Sequence, residues 1–207
     1  MVVLYLHKTS RSGKVKKEEN KIIIITGPGG VGKTTISQFL CQNLNGKFRE
    51  TVSCTTRPKR ELEIDGKDYY FITEEDFQAK IDNGEFIEYN LFPNGYRYGT
   101  LFSEAENILK KCNCIIVLDP VTASKLRENP YFGDNTITFF LDADEDTVHK
   151  RLVKRGAKWA EIKKRMLIGE EERKYANCCD HHVFVRNPYD ASRKIYKIIT
   201  NGAKFEM

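Results

Sequence analysis

The stretch KIIIIT (21–26) carries four consecutive isoleucines with no polar interruption. An unbroken apolar run of this length predicts a strand covered on both faces, as in a parallel sheet. TVSCTT (51–56), CIIVL (114–118), TITFFL (136–141) and HVFVR (182–186) are comparable strand candidates. Between them, apolar residues recur at helical spacing over 33–44, 103–111, 121–128, 144–155, 160–176 and 189–201. Strands alternating with helices predict an α/β fold with a mainly parallel sheet. Residues 57–100 break this rhythm. They hold DYYFI (68–72), a short helix over 74–83 with Thr73 as its cap, EFIEYN (85–90) and a turn at PNG (93–95). That pattern predicts a small, mostly β insertion. RLVKRGAKWAEIKKR (151–165) is dense in cations around Gly156 and reads as a mobile helical lid. The predicted organisation is a core of 21–56 and 101–207, an insertion at 57–100, a lid over about 151–168 and a basic leader at 1–20.

Composition changes this picture only at the edges. A chain of 207 residues with 40% hydrophobic content is long enough to bury a substantial core. No apolar stretch approaches the roughly 18 residues of a membrane span. The formal charge of +5 is matched by residues 1–17 alone, where Lys8, Arg11, Lys14, Lys16 and Lys17 meet no acid. The remainder is close to neutral, without the basic face of a nucleic-acid binder. The leader reads as a disordered, solvated segment of a cytoplasmic protein, with an organelle-targeting signal as the lesser alternative. The six cysteines include no C-x-x-C pair and read as reduced thiols of an intracellular chain.

The chemistry begins where the isoleucines end. GPGGVGKT (27–34) follows a buried strand and opens a helix, and it fits the phosphate-binding pattern G-x-x-x-x-G-K-[ST]. Gly27, Gly29, Gly30 and Gly32, with Val31 between the last two, allow the backbone to bend so that amides face phosphate oxygens. Lys33 supplies an ammonium for the β- and γ-phosphates, Thr34 a hydroxyl for Mg²⁺, and Thr35 continues the helix start, whose dipole adds positive potential. The loop implies a nucleoside triphosphate and no particular reaction. A second anion site is suggested by SCTTRPKR (53–60), where Arg57 and Arg60 flank a proline turn and can converge on one phosphate.

From residue 21 to about 200 the chain resembles the guanylate kinase family. The resemblance rests on GPGGVGKT, the pattern S-x-T-T-R-x-x-R from Ser53 to Arg60, DGKDYYF (65–71) and NGEFIEY (83–89). It continues through Tyr98-Gly99-Thr100 and through an Arg-Gly followed by a further arginine. It implies the P-loop NTPase three-layer α/β/α fold with a small, mostly β GMP-binding insertion and a helical lid. It also implies transfer of the γ-phosphoryl group of ATP to GMP with Mg²⁺ as cofactor, by a monomer or homodimer. Residue by residue, Arg57, Arg60, Tyr69 and Tyr98 match the family's GMP-phosphate ligands, with Tyr96 as the alternative to Tyr98. Glu88, with Ser53 and Thr100, matches the guanine site. A carboxylate suits guanine because it accepts the N1–H and N2–H₂ donors together, whereas adenine presents a lone pair at N1. Asp119 matches a carboxylate near Mg²⁺ and the acceptor nucleotide, and Asp119-Pro120 equally reads as a helix cap, the two roles being compatible. Arg155 and Arg165 match the lid arginines, Arg151 more weakly, and Asn187 matches a contact to adenine. Nothing in this set reads a 2′-hydroxyl, so dGMP is expected to serve as well as GMP.

Several positions depart from the family pattern. Leu62 replaces a glycine, Val117 an aspartate, Val121-Thr122 a Gln-Gly pair and Ala157 a threonine. One residue is added between Glu88 and Tyr98, and one is missing between Arg155 and Arg165. A phosphoprotein-binding module with little catalysis and a kinase for another phosphorylated acceptor are the competing expectations.

Overall fold

The computed structural model describes residues 20–44, 46–91, 95–126, 132–133 and 135–201. The leader up to residue 19, residues 93 and 94 of the expected turn and the end of the helix expected over 121–128 lie outside the described residues. In chain order, β1 (Ile22–Thr26), α1 (Lys33–Asn43) and β2 (Phe48–Glu50) come first. Then follow β3 (Cys54–Thr55), β4 (Tyr70–Phe71), α2 (Glu74–Asp82), β5 (Phe86–Leu91), β6 (Arg97–Leu101) and α3 (Phe102–Leu109). The chain continues through β7 (Asn113–Val117), α4 (Pro120–Leu126), β8 (Thr136–Asp142), α5 (Glu145–Lys154) and α6 (Trp159–Arg173). It closes with β9 (His181–Phe184) and α7 (Pro188–Asn201). Two units result: a larger one of Lys21–Glu50 with the chain from Cys112 on, and a smaller one of Thr51–Lys111.

The larger unit is organised on a five-stranded parallel sheet in the order β2-β7-β1-β8-β9. β1 pairs on both edges, Ile23 lying opposite Ile115 of β7 and Ile137 of β8. All five of its residues are buried, which is why its sequence shows no alternation. Each buried isoleucine contributes about 2 kcal/mol by removal of apolar surface. Against the sheet pack Ile36 and Leu40 of α1, Val148 and Leu152 of α5, Ile162 of α6 and the Ala191, Ile195, Ile198 and Ile199 stripe of α7. The edge strand β2 was not foreseen. With a single fully buried residue, Phe48, it carries no apolar run. Among the described residues no helix is long and apolar enough to cross a membrane. None of the six cysteines is in a disulfide bond.

The smaller unit holds a four-stranded sheet in the order β4-β3-β6-β5. Here the expectation for 51–56 is corrected: only Cys54 and Thr55 are strand, and they pair with Tyr70 and Phe71 on one side and with Gly99 and Tyr98 on the other. TVSCTT therefore belongs to this second sheet and not to the parallel one. The predicted insertion 57–100 falls inside this unit. Its core is small: Cys54, Phe77 and Phe86, with Tyr70, Ile72, Ile81, Tyr89 and Leu101 around them. The Phe77 and Phe86 rings stack at 4.5 Å. Thr73 caps α2 as expected, its hydroxyl accepting the Asp76 amide at 3.0 Å, and three acids in the first turn suit the helix dipole.

Candidate functional site

In the larger unit the candidate site is the bend from β1 into α1. Gly27, Gly30 and Gly32 adopt φ of 134°, 88° and 110°, a region closed to other residues without strain. At Gly27 a Cβ would also overlap the carbonyl oxygen of Leu141 on β8, so only glycine passes. The first amide at the helix start to bond back is Ile36, to Gly32 O at 3.0 Å. The amides ahead of it stand at the positive end of the helix as donors for an anion. Lys33 folds over this bend, its Nζ donating to Gly27 O at 2.5 Å and Pro28 O at 3.2 Å. Burial pushes the Lys33 pKa down; Glu172 and Asp119 oppose that shift, and Arg165 adds to it. Thr34 is exposed at the mouth and Thr35 half-buried.

The remaining predicted residues of this unit fall into three kinds of position. Asp119 caps α4: Oδ1 accepts the Thr122 amide at 2.9 Å and Oδ2 accepts the Thr122 hydroxyl at 2.5 Å. Asp144 and Thr147 repeat that arrangement at α5, which shows the cap to be a local device of the D-x-x-T sequence. Asn187 plays a similar part at α7, its Oδ1 accepting the Tyr189 amide at 2.8 Å. Arg155 closes α5 and is exposed, while Arg165 lies on α6 and pairs with Glu161 at 2.8 Å. Arg151 is turned to backbone: Nη1 donates to Val31 O at 2.8 Å, and Nη2 donates to Val185 O at 3.2 Å and Arg186 O at 3.3 Å. It ties the phosphate loop to the end of β9.

In the smaller unit the site is built from side chains. Arg57 is buried, and its Nη1 and Nη2 grip the Glu63 carboxylate at 3.0 Å and 2.7 Å while Nη1 also donates to Pro58 O at 2.8 Å. Its guanidinium lies 5.6 Å from the Tyr69 ring and 5.7 Å from the Phe71 ring. Arg57 donates to the Tyr98 hydroxyl, and the Tyr98 ring stands 5.7 Å from that of Tyr69. Glu63 first, then Tyr98, hold the arginine more firmly protonated than usual, and Arg57 in turn holds the Glu63 carboxyl below its ordinary range. Glu63 also accepts the Arg60 amide at 2.8 Å, fixing the backbone of the second arginine. Nothing about Glu63 marked it in the sequence beyond its place three residues after Arg60.

Glu88 sits on β5 directly opposite Thr100 of β6, just past a bulge at Phe86–Glu88 that re-aims the strand. Its Oε1 accepts the Thr100 hydroxyl at 2.8 Å, and Thr100 in turn meets the Ser53 hydroxyl at 3.3 Å. Asn90 Nδ2 makes a long contact to the other oxygen, at 3.5 Å. The glycine between Tyr98 and Thr100 is required by packing, since a Cβ on Gly99 would stand 2.8 Å from both Glu88 O and the Phe86 ring. The smaller unit therefore carries two features: a guanidinium set against the Tyr69 and Phe71 rings, and a carboxylate held by hydroxyls.

The family model described as guanylate kinase matches residues 19–200. A guanylate kinase from Mycoplasmopsis pulmonis is 36% identical over 187 residues, covering 87% of this chain and 94% of that protein. One from Porphyromonas gingivalis is 37% identical over 163 residues, covering 77% of this chain and 86% of its own length. The crystal structure of guanylate kinase from Anaplasma phagocytophilum superposes with a TM-score of 0.67 at 23% identity, covering 91% of this chain and 88% of that one, a likeness of fold.

Proposed function

The chain belongs to the guanylate kinase family and transfers the γ-phosphoryl group of ATP to GMP, and from that premise we propose how its residues divide the work. The phosphate loop, Gly27 to Thr35, takes the triphosphate, with Lys33 leaving its carbonyl partners for the β- and γ-phosphates. Asn187 keeps its Nδ2 donor for adenine. Arg57, Arg60, Tyr69 and Tyr98 take the GMP phosphate, and Glu88 with Thr100 and Ser53 reads the guanine edge. The observation that carries the assignment is the Glu88–Thr100–Ser53 chain in the same small unit as Arg57. A hydroxyl-held carboxylate beside a clamped guanidinium is complementary to a base with adjacent N–H donors joined to a phosphate.

The attacking group is a GMP phosphate oxygen, already largely dianionic near neutrality because the second phosphate pKa is about 6. No general base is needed. Catalysis is positioning and charge neutralisation: the two nucleotides are brought in line, while Lys33, Arg155 and Arg165 offset charge on the equatorial oxygens. Closure of the lid excludes water that would otherwise hydrolyse ATP.

The residues present fit Mg²⁺. Among the described residues no cluster of three or more histidine, cysteine or carboxylate groups could hold a metal by itself. Thr34, Asp119 and the buried, unpartnered Oε2 of Glu172 nevertheless offer a sparse set of oxygens. Mg²⁺ is held in this way when phosphates and water supply most of its ligands. Thr34 and, through water, Asp119 would hold it, and when bound it supplies charge neutralisation of the β- and γ-phosphates.

A coupled assay with ATP and Mg²⁺, offering GMP, dGMP, AMP, UMP and dTMP separately, tests the reading. Rapid ADP formation with GMP and dGMP is expected. Equal turnover of AMP would remove the role given to Glu88.

A further inference from the structure

Thr55 is fully buried in a place where valine would fill the same space and suit a strand as well. β3 ends there after two residues, and the chain leaves the sheet toward Arg57. An amide beyond the last ladder pair needs another partner, and a nearby hydroxyl can supply it. Thr55 does so. Its Oγ1 accepts the Arg57 amide at 3.2 Å and donates to the Arg97 carbonyl oxygen at 3.0 Å. The hydroxyl thus uses its proton and a lone pair, as a polar group withdrawn from water must.

Arg97 is the fixed point at the far end of this bridge. Its carbonyl oxygen also accepts the Thr56 amide at 3.1 Å, and its own amide donates to the Thr56 hydroxyl at 3.1 Å. Its side chain is held on α2, donating to Gln78 Oε1 at 2.7 Å and pairing with Glu74 at 3.3 Å, with the guanidinium 5.9 Å from the centre of the Phe77 ring. Tyr98 follows Arg97 directly and lies opposite Thr55 in the pairing of β3 with β6. Arg57 and Tyr98 are therefore joined through one hydroxyl, and both come back together at the Tyr69 ring, at 5.6 Å and 5.7 Å.

We propose that Thr55 is a positioning residue for the acceptor phosphate: its hydroxyl fixes the backbone of Arg57 against β6 and so sets the arginine fork at one separation from Tyr98. The proposal rests on the reading of Arg57 and Tyr98 as GMP-phosphate ligands. The chain of Glu88, Thr100 and Ser53 that faces guanine does not pass through this hydroxyl. Thr55 therefore serves the phosphate end of GMP and not the base end. Guanosine, which has the base and no phosphate, separates the two roles.

The test compares full-length parent protein with Thr55→Val and Thr55→Ser. Binding of GMP and of guanosine is measured by NMR titration, together with KM for GMP, KM for ATP and kcat. Valine keeps volume and β-branching but leaves the Arg57 amide and the Arg97 carbonyl without the hydroxyl they share. Thr55→Val is expected to raise Kd and KM for GMP about tenfold, with guanosine Kd and KM for ATP within about twofold of the parent. Serine restores the hydroxyl and should bring GMP binding back to within about threefold. If Thr55→Val does not fold, Thr56→Val takes its place, because it removes the acceptor of the Arg97 amide at the same joint. It should raise Kd for GMP about fivefold and leave guanosine unaltered. Unchanged GMP binding in the valine variant that folds, a guanosine Kd that rises in step with that of GMP, or a serine variant as impaired as the valine one overturns the proposal. A parent protein that binds GMP no more tightly than guanosine would instead remove the phosphate role of Arg57 on which the proposal stands.

Discussion

The larger unit makes its candidate anion site out of backbone, the smaller one out of side chains. Around Lys33 the donors are the amides of a glycine bend and a helix start, and the one lysine is parked on the carbonyl oxygens of Gly27 and Pro28. Around Arg57 the donor is a guanidinium gripped by Glu63, shared with Tyr98 and laid over Tyr69 and Phe71. The backbone site draws its shape from chain geometry and tolerates change between its glycines. The side-chain site needs an internal counter-ion, because an unpaired buried arginine is unfavourable and a loose one has no fixed direction. A compact ammonium suffices where amides supply the geometry, and a planar fork is needed where they do not.

The comparison breaks most severely at Lys33. Lys33→Ala should lower kcat/KM by about 10³-fold, the scale of losing a charge aimed at the transferring phosphoryl group. Its fold should persist, since the glycine bend is set by Gly27 against Leu141 and not by the lysine. Activity within tenfold of the parent would mean that the amides alone carry catalysis. Next in size is Glu88→Gln, which places an amide N–H₂ against a base that presents donors of its own. We expect kcat/KM for GMP to fall about 10²-fold while the ratio of AMP to GMP turnover rises. An unchanged ratio, measured with both nucleotides in parallel, would detach Glu88 from base selection.

These two sites also differ in how far the sequence announces them. The phosphate loop is visible as a string because its geometry is local: glycines at fixed offsets between an apolar strand and a helix. β1, β7 and β8 are visible for the same reason, being unbroken apolar runs. The smaller sheet is not, because Cys54–Thr55 and Tyr70–Phe71 are two-residue strands that exist only through pairing across the chain. TVSCTT was therefore assigned to the wrong sheet, and β2, with only Phe48 fully buried, was missed. Arg57 and Glu88 could be named from the family resemblance, whereas Glu63 and the bridging hydroxyl of Thr55 emerge only from tertiary packing. One is an acid in a charged loop and the other belongs to a plain pair of threonines. Arg151, given a weak place among the lid arginines, donates to carbonyl oxygens of the loop and of the chain just after β9.

A milder change sharpens the contrast between fork and point charge. Arg57→Lys keeps the positive charge but gives up the paired grip on Glu63 and the stacking on Tyr69. KM for GMP should rise about tenfold, with kcat within about threefold and KM for ATP unaltered. Steady-state kinetics with each substrate varied in turn would decide it. A lysine variant with parental KM for GMP would show that the smaller unit needs only charge.

The smallest effect expected concerns the cores beneath the two sites. The isoleucine sheet of the larger unit contains no ionisable group in β1, whereas the small core of the other unit includes the Cys54 thiol together with Phe77 and Phe86. Burial pushes that thiol from an ordinary 9.0 to about 11, with Lys80 pulling slightly the other way. A folded-state pKa above the unfolded one means that the unfolded chain loses its proton first as pH rises. The contribution to stability is thus complete below about pH 9 and is lost between about pH 9 and 11. Other groups titrate in the same window, so the informative quantity is the difference between the parent protein and Cys54→Ala in urea unfolding followed by circular dichroism. The stability advantage of the parent over the alanine variant should narrow from about pH 8 to about pH 10.5. Two parallel stability curves would place the Cys54 thiol in contact with water, and the smaller core would then be more open than the packing of Phe77 on Phe86 implies.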